Sequence, residues 1–339
     1  MPDRVSIAGA GISGLSAAIQ LAQHGWDVHV FEMKNRVASG AGHHTEGIRN
    51  YLGRDGLEEI RSWGFRVEPF SLATRVVRKS PSFVSTVRGV SYYLVERGGR
   101  PNSLEAQLYR QAVHLGVTFH FKEPADLERT EIIATGAPVG RVNIVAAGFR
   151  FSKQGSHLGP DTIYAVFDNE YAPHGYLCVL PGSTDNSVYA VSWSDLRFAS
   201  LLRRVERARE LPMLSEVLGT ARRLGGIYGR GYVAADPISL AKMTDHLFVG
   251  EAAGFQDALG GFGIRYALLT GMLAANAIAE GRDYQELLRR EFGDEFKIAA
   301  QQREMLKRAN NEVYDKMLQG LGRETFVNEY ESWRRIRFM

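Results

Sequence analysis

The sequence predicts a doubly wound α/β fold, and three observations carry that prediction. The first is a strand–helix–strand unit over residues 5–32, where apolar spacing changes from strand to helix and back. The second is the string Gly9-Ala10-Gly11-Ile12-Ser13-Gly14 at the first turn of that unit, with Glu32 closing its second strand. The third lies far downstream, where Leu247-Phe248-Val249-Gly250-Glu251 leads through Gly260-Gly261-Phe262-Gly263-Ile264 into a strongly apolar helix.

Residues 5–8 read as a buried strand ending at Gly9, 12–23 as a helix stopped by Gly25, and 28–31 as the second strand. Residues 35–56 are rich in Gly, His and Asn and are expected to be loop, followed by a short helix over 57–63. Alternating or β-branched runs at 74–79, 83–87 and 91–95 predict an antiparallel sheet that begins a second lobe. A helix at 103–115, capped by Asn102 or Ser103, and strands at 117–121 and 132–135 return the chain to the first lobe. Strands at 162–168, 176–180 and 187–192 resume the second, followed by a basic helix over 196–209. A short strand at 246–250, an apolar helix at 263–280 and one long amphipathic helix over 284–318 complete the chain. The expected division is a Rossmann-like lobe from 1–60, 95–160 and 240–283, an interleaved, mostly antiparallel β-sheet lobe from 61–94 and 161–239, and C-terminal helices over 284–339.

Bulk properties narrow the function. A chain of 339 residues favours two lobes with a ligand cleft between them. A net charge of +3, from 41 basic and 38 acidic residues, is too balanced for a protein that neutralises nucleic-acid phosphates. A single cysteine, Cys178, forms neither an intrachain disulfide nor a thiolate cluster, which fits a reducing, cytoplasmic setting and leaves no expected metal site. The N-terminus has no signal-peptide pattern, and no apolar run is long enough to span a bilayer, so membrane contact is expected to be peripheral at most.

Each glycine of the N-terminal string has a separate physical task. Gly9 permits the tight turn, Gly11 lets backbone approach a pyrophosphate, and Gly14 lets helix and strand pack closely. Ile12 and Ser13 place their amides at the helix N-terminus, which faces the phosphates, and Glu32 is placed to bind ribose hydroxyls. These residues alone do not separate NAD from FAD. The downstream passage does, because a carboxylate at Glu251 can meet a ribityl chain and the helix start at 261–264 can stabilise charge on a reduced flavin. FAD is therefore the expected cofactor.

At this point the sequence resembles the geranylgeranyl reductase family of FAD-dependent oxidoreductases, within the wider aromatic-hydroxylase-like flavoprotein superfamily. The matching pieces are GAGISG with Glu32, Tyr93-Leu94-Val95-Glu96-Arg97, Ile133-Ala134-Thr135-Gly136, and GEAAGFQDALGGFGI at 250–264, which together cover about half the chain. The resemblance implies roles for Glu32 at the adenosine ribose, Arg97 near the cofactor and Glu251 on the phosphate or ribityl side; Gly136 and Gly250, within the matching pieces, are expected among the cofactor-binding residues. It implies reduction of carbon–carbon double bonds in an apolar, isoprenoid-like substrate by hydride from reduced flavin, with NAD(P)H or ferredoxin, an electron-donor protein, as the source of electrons. The Asp-Gly pair of the hydroxylases is absent, since Gly136-Ala137-Pro138 stands in its place. Two alternatives remain: a flavin-dependent monooxygenase of a small organic substrate, and a non-redox flavoprotein acting as a cyclase or isomerase.

No single catalytic residue is fixed by the sequence. His43 and His44 with Glu46 are candidates for a proton-donating cluster, although adjacent side chains diverge. Cys178 is a weak candidate thiol, since a lone cysteine on such a strand is more often a small buried hydrophobe. Tyr176, with Tyr92, Tyr93 and Tyr189, can line an apolar pocket and donate a proton, or simply pack. The terminal Trp333-Arg334-Arg335-Ile336-Arg337-Phe338 is either a solvated tail or a contact for anionic lipid or a partner.

Overall fold

The computed structural model describes residues 3–39, 42–51 and 53–326, so the basic aromatic stretch at 333–338 lies outside the described residues. The chain begins with β1 (Arg4–Ala8), α1 (Ile12–Gln23) and β2 (Asp27–Glu32), as the glycine string requires. It continues through β3 (His44–Arg49), α2 (Gly56–Ser62), β4 (Ser71–Lys79), β5 (Val84–Arg97), α3 (Leu104–His114), β6 (Thr118–Phe121) and β7 (Ile132–Ile133). Both short helices start on side-chain caps: the Asp55 carboxylate accepts from the amides of Leu57 and Glu58, and the Ser103 hydroxyl from that of Ala106. Then come β8 (Ile144–Ser152), β9 (Thr162–Val166), β10 (Tyr176–Leu180), β11 (Asp185–Ser192), α4 (Phe198–Ala208), α5 (Pro212–Leu218) and β12 (Arg223–Gly231). The last part holds α6 (Pro237–Leu240), β13 (Lys242–Met243), β14 (His246–Phe248), α7 (Ile264–Glu280), α8 (Tyr284–Phe292), α9 (Glu295–Leu306), α10 (Asn311–Leu321) and β15 (Glu324–Phe326).

Among the described residues these strands form two sheets. The first has the order β13-β14-β7-β1-β2-β6 and is parallel except where β13 meets β14. Chain order reverses at β1, with β2 on one side and β7 on the other, so a ligand crevice opens beyond the carboxyl end of β1. Val5, Ile7, Val28 and Val30 are buried, whereas Ser6 and His29 between them are half-buried, the alternation of side chains along a strand.

The second sheet runs β12-β8-β11-β10-β9-β4-β5-β15, with β3 also on β5. It is antiparallel except at β4–β9 and β5–β15. Side chains alternate across it. Leu177 and Val179 pack with Phe149, Phe151 and Val188 against Leu201 and Val205 of α4, whereas Tyr176, Cys178 and Leu180 point to the opposite face. That opposite face is roofed by α9 and α10, and it carries the site.

Four expectations are corrected. Residues 35–56 are not all loop, because β3 forms there by antiparallel pairing with 92–97 of β5, burying Thr45 and Ile48. The separate strands expected at 83–87 and 91–95 are one long strand, β5. The segment 95–160 is divided, since β8 joins the second sheet between β11 and β12. The single helix expected over 284–318 is three: Gly293, at φ +51°, ends α8, and Asn310 caps α10 by accepting from the Val313 amide.

Candidate functional site

The site begins where β1 hands over to α1. Gly9 adopts φ +102°, and a Cβ there would stand 2.5 Å from the Ala134 carbonyl oxygen, so the loop after β7 closes directly over it. A Cβ on Gly14 would lie 2.0 Å from the Gly9 oxygen, which explains why helix and turn pack only with glycine at 14. Gly11 is the opposite case. A Cβ added there meets nothing within 4 Å, and no side chain caps α1, so its first amides face open space. Glu32 reaches back to this turn, accepting from the Ala10 amide at 3.0 Å and from the Lys34 amide at 2.9 Å.

The downstream motif meets the first one here. Gly250, at φ +58°, lies so close to Ser13 that a Cβ would come within 2.8 Å of its hydroxyl oxygen, and Gly271 of α7 presses on the Ser13 carbonyl in the same way. Residues 250–252 form a short 3-10 turn that presents Glu251, whose carboxyl burial pushes up to about 7, with Arg97 opposing and Glu46 adding to the shift. Beyond it, Asp257 organises the glycine-rich turn. Its carboxylate accepts from the Leu259 amide at 2.9 Å and from Arg49 Nη2 at 2.6 Å, its amide donates to Phe262 O, and its carbonyl accepts from Gly261. Tyr176 ties the second sheet to this turn by donating to the Gly260 carbonyl at 2.6 Å. α7 then starts at Ile264 with no side-chain cap.

Between the turn, the second sheet and α9–α10 lies a cavity of about 730 Å³, within the ~300–1,000 Å³ typical of ligand sites. Its walls are mostly apolar: Val76, Ile163, Cys178, Leu180 and Val191 from the sheet face, and Leu306, Val313, Met317 and Leu318 from the helices. At one end His44 donates or accepts at 2.9 Å with Glu46, which also pairs with Arg97, and Arg97 Nε donates to Glu105 at 2.9 Å. Burial pushes the Glu46 carboxyl up, but Arg97 and His44 outweigh it and hold it at about 2. Burial pushes the Cys178 thiol and the Tyr176 and Tyr189 phenols well up, so all three stay protonated.

These features fit FAD. The helices α1 and α7 both start without a side-chain cap, Gly11 leaves a cradle that any Cβ would fill, and buried Gln256 Oε1 has no partner among the described residues. A family model described as FAD dependent oxidoreductase matches residues 4–57. Digeranylgeranylglycerophospholipid reductase 2 of Methanosphaera stadtmanae is 22% identical, over 95% of this chain and 92% of its own length. This chain is an FAD-dependent oxidoreductase. A geranylgeranyl bacteriochlorophyll reductase-like protein from Thermoplasma acidophilum shares the fold of the oxidoreductase, with a TM-score of 0.78 at 18% identity, covering 98% of this chain and 95% of that one. One third of the chain also resembles 3-amino-4-hydroxybenzoate 2-monooxygenase of Streptomyces cremeus, at 32% identity over 33% of this chain and 31% of that protein.

In this oxidoreductase the residues singled out from sequence fall into separate places. Gly9, Gly11, Ile12, Ser13 and Gly14 converge with Gly250 at the α1 end, and Gly136, at φ +76°, follows the loop that covers Gly9. Glu251, Gly261, Phe262, Gly263, Ile264, His44, Tyr176 and Cys178 line the cavity. Arg97 stands behind Glu46 rather than on the cavity wall. His43 diverges from His44, lying near Arg100 and Arg150; burial and these two cations lower its pKa. Tyr93 faces the other side of β5 and bonds Asp55, while Tyr92 and Tyr189 line the cavity. Arg49 and Arg78 were missed, and the helical stretch expected over 284–318 was given no place in the site. Asp257 sat inside a quoted motif without a role, and the signal for Arg78 was a charge in phase with the apolar residue Val76 on one strand face.

Proposed function

We propose that this oxidoreductase reduces carbon–carbon double bonds of an apolar, isoprenoid-like substrate held in the cavity. The observation that carries the reading is the apolar cavity itself, which runs from the glycine-rich turn at 260–264 under α9 and α10. The names of the relatives, reductases of geranylgeranyl lipids, support the same substrate class.

Reduced FAD, when bound, supplies the hydride. Gly9, Gly11, Ile12, Ser13 and Gly14 would hold the pyrophosphate, Glu32 the ribose, Glu251 the ribityl chain, and the start of α7 the flavin edge. Arg49, Asp257 and Tyr176 fix the turn that sets the flavin's position against the substrate. The apolar walls exclude water, and Glu251, with a carboxyl near 7, keeps an exchangeable proton at the flavin end. Electrons enter from NAD(P)H or a ferredoxin. The protein works in the cytoplasm with at most peripheral membrane contact; no helix among the described residues is long and apolar enough to cross a membrane.

A second reading, oxygen insertion into a small substrate, is favoured by the likeness of one third of the chain to a monooxygenase. Mixing anaerobically reduced holoenzyme with a polyprenyl substrate separates the two. The proposal expects reoxidation of the flavin without oxygen and a product heavier by one pair of hydrogen atoms. A product formed only when oxygen is admitted, and carrying an oxygen atom, contradicts it, and an isomer of unchanged mass made without an electron donor contradicts both.

A further inference from the structure

Arg303 of α9 is only 5% exposed, and among the described residues no carboxylate pairs with it. Charges buried to this degree are almost always paired. Three half-buried arginines obey that rule: Arg49 meets Asp257 at 2.6 Å, Arg97 meets Glu105 at 2.9 Å and Arg265 meets Glu59 at 2.7 Å. Arg303 instead donates from Nη2 to the His174 carbonyl at 2.8 Å and from Nη1 to the Leu259 carbonyl at 3.5 Å, with its guanidinium 4.3 Å from the centre of the Trp193 ring. Its Nε and the Trp193 Nε1 are both buried without a partner among the described residues.

Burial lowers the Arg303 pKa only to about 10, so the charge persists at neutral pH. Tyr314, Asp257, Glu304 and Tyr176 oppose the lowering, but none of them cancels the charge. Both phenols are pushed up by burial and neutral, Asp257 already meets Arg49, and Glu304 is exposed and meets Lys307 at 2.6 Å.

The charge sits directly behind the glycine-rich turn. Leu259, whose carbonyl Arg303 holds, immediately precedes Gly260 and Gly261, and a Cβ on Gly261 would stand 3.7 Å from the Trp193 ring. Gln302, Met305 and Leu306 of α9 line the cavity, whereas Arg303 is not part of its wall. A molecule in the cavity therefore has no direct contact with this charge, which acts through the turn. We infer that Arg303 tunes the reduction potential of the bound flavin, as a fixed positive charge that favours the reduced, more negative cofactor. This rests on the start of α7 being the flavin edge, and adds the residue that sets the field there. The positive N-terminal end of α7 acts in the same direction. Both work where water is excluded, so neither is screened as it would be in solvent. Reduction supplies the negative charge that the buried guanidinium otherwise lacks.

The test measures the midpoint potential of holoenzyme against reference dyes without oxygen, and FAD affinity by titration of apoprotein, for the wild type and three variants. Arg303→Gln keeps a donor for the carbonyls and removes the charge, Arg303→Met keeps the stem against Trp193 and removes the charge, and Arg303→Lys keeps the charge and loses the fork. Both uncharged variants should have a potential lower than the wild type by about 30 mV or more, which for a two-electron couple is a tenfold fall in affinity for reduced relative to oxidised FAD. Affinity for oxidised FAD should change by less than about threefold. Arg303→Lys should keep most of the wild-type potential.

A wild-type potential in whichever uncharged variant folds overturns the proposal and leaves the flavin site intact. So does an Arg303→Lys variant whose potential falls as far as that of the uncharged ones, since the fork and not the charge then matters. Failure of the wild-type apoprotein to take up FAD overturns the flavin reading and this proposal with it.

Discussion

Glu251 gives a stability prediction with a definite sign. Its carboxyl titrates near 4.5 when exposed and near 7 in the folded chain, because burial disfavours the charged form. The folded protein therefore holds this proton more tightly than the unfolded chain. The contribution is fully present below pH 4.5 and is lost as pH rises through 7, at about 1.4 kcal/mol per pH unit, or on the order of 3 kcal/mol in all. Glu46 does not confuse the measurement. Its carboxyl is held at about 2, so its own contribution has the opposite sign and acts below the window. Urea unfolding of apoprotein at pH 5, 6, 7 and 8, for wild type and Glu251→Gln, reads the effect as the difference between two curves. The two proteins should match at pH 5, and the variant should be more stable by roughly 2–3 kcal/mol at pH 8. Parallel curves across the whole range would refute the assignment of Glu251 as a buried, proton-holding acid.

The glycine string separates binding from folding. Gly11→Val, placed in open space and extended backbone, should leave the melting temperature of apoprotein nearly unchanged but weaken FAD binding by two orders of magnitude or more, about 3 kcal/mol, as read by flavin titration. Gly14→Ala should instead destabilise the apoprotein by about 2 kcal/mol or more, since its Cβ would overlap the Gly9 carbonyl oxygen; unchanged unfolding would contradict the close packing of α1 on that turn. Arg265→Met removes two donors of buried Glu59, at 2.7 and 2.9 Å, and leaves it only Arg54 at 3.1 Å; it should cost about 3 kcal/mol in urea unfolding, with a loss under about 1 kcal/mol counting against a structural ion pair. Cys178, 5% exposed and with its thiol pushed up by burial, should resist a disulfide-forming thiol reagent in native holoenzyme and react fully once unfolded; rapid labelling of the folded protein would show the thiol to be open and activated.

The parts of the fold legible in sequence are those decided by local chemistry. Turn glycines, an acid at a strand end and an uncapped apolar helix name β1–α1–β2 and α7 wherever the rest of the chain goes. β3 was hidden because His44-Thr45-Glu46-Gly47-Ile48-Arg49 has no apolar alternation, and its strand geometry comes from pairing with 92–97. β8 was placed with the wrong sheet because it follows β7 closely in sequence, whereas its partners are β11 and β12. The helical period runs on across Gly293 and Asn310, so only backbone conformation shows that α8, α9 and α10 are separate. The site divides in the same way. Its cofactor half is carried by short motifs, but Arg49 and Arg78 become visible only when the sheet face and its helical roof come together.

Stoichiometric uptake of FAD tests the central claim most directly, because the account needs Gly11 near the start and Gly250–Ile264 near the end to grip a single nucleotide. Titration of the apoprotein should saturate at one FAD per chain, giving a yellow protein whose flavin fluorescence is quenched. A protein that stays colourless throughout such a titration, while remaining folded, contradicts it.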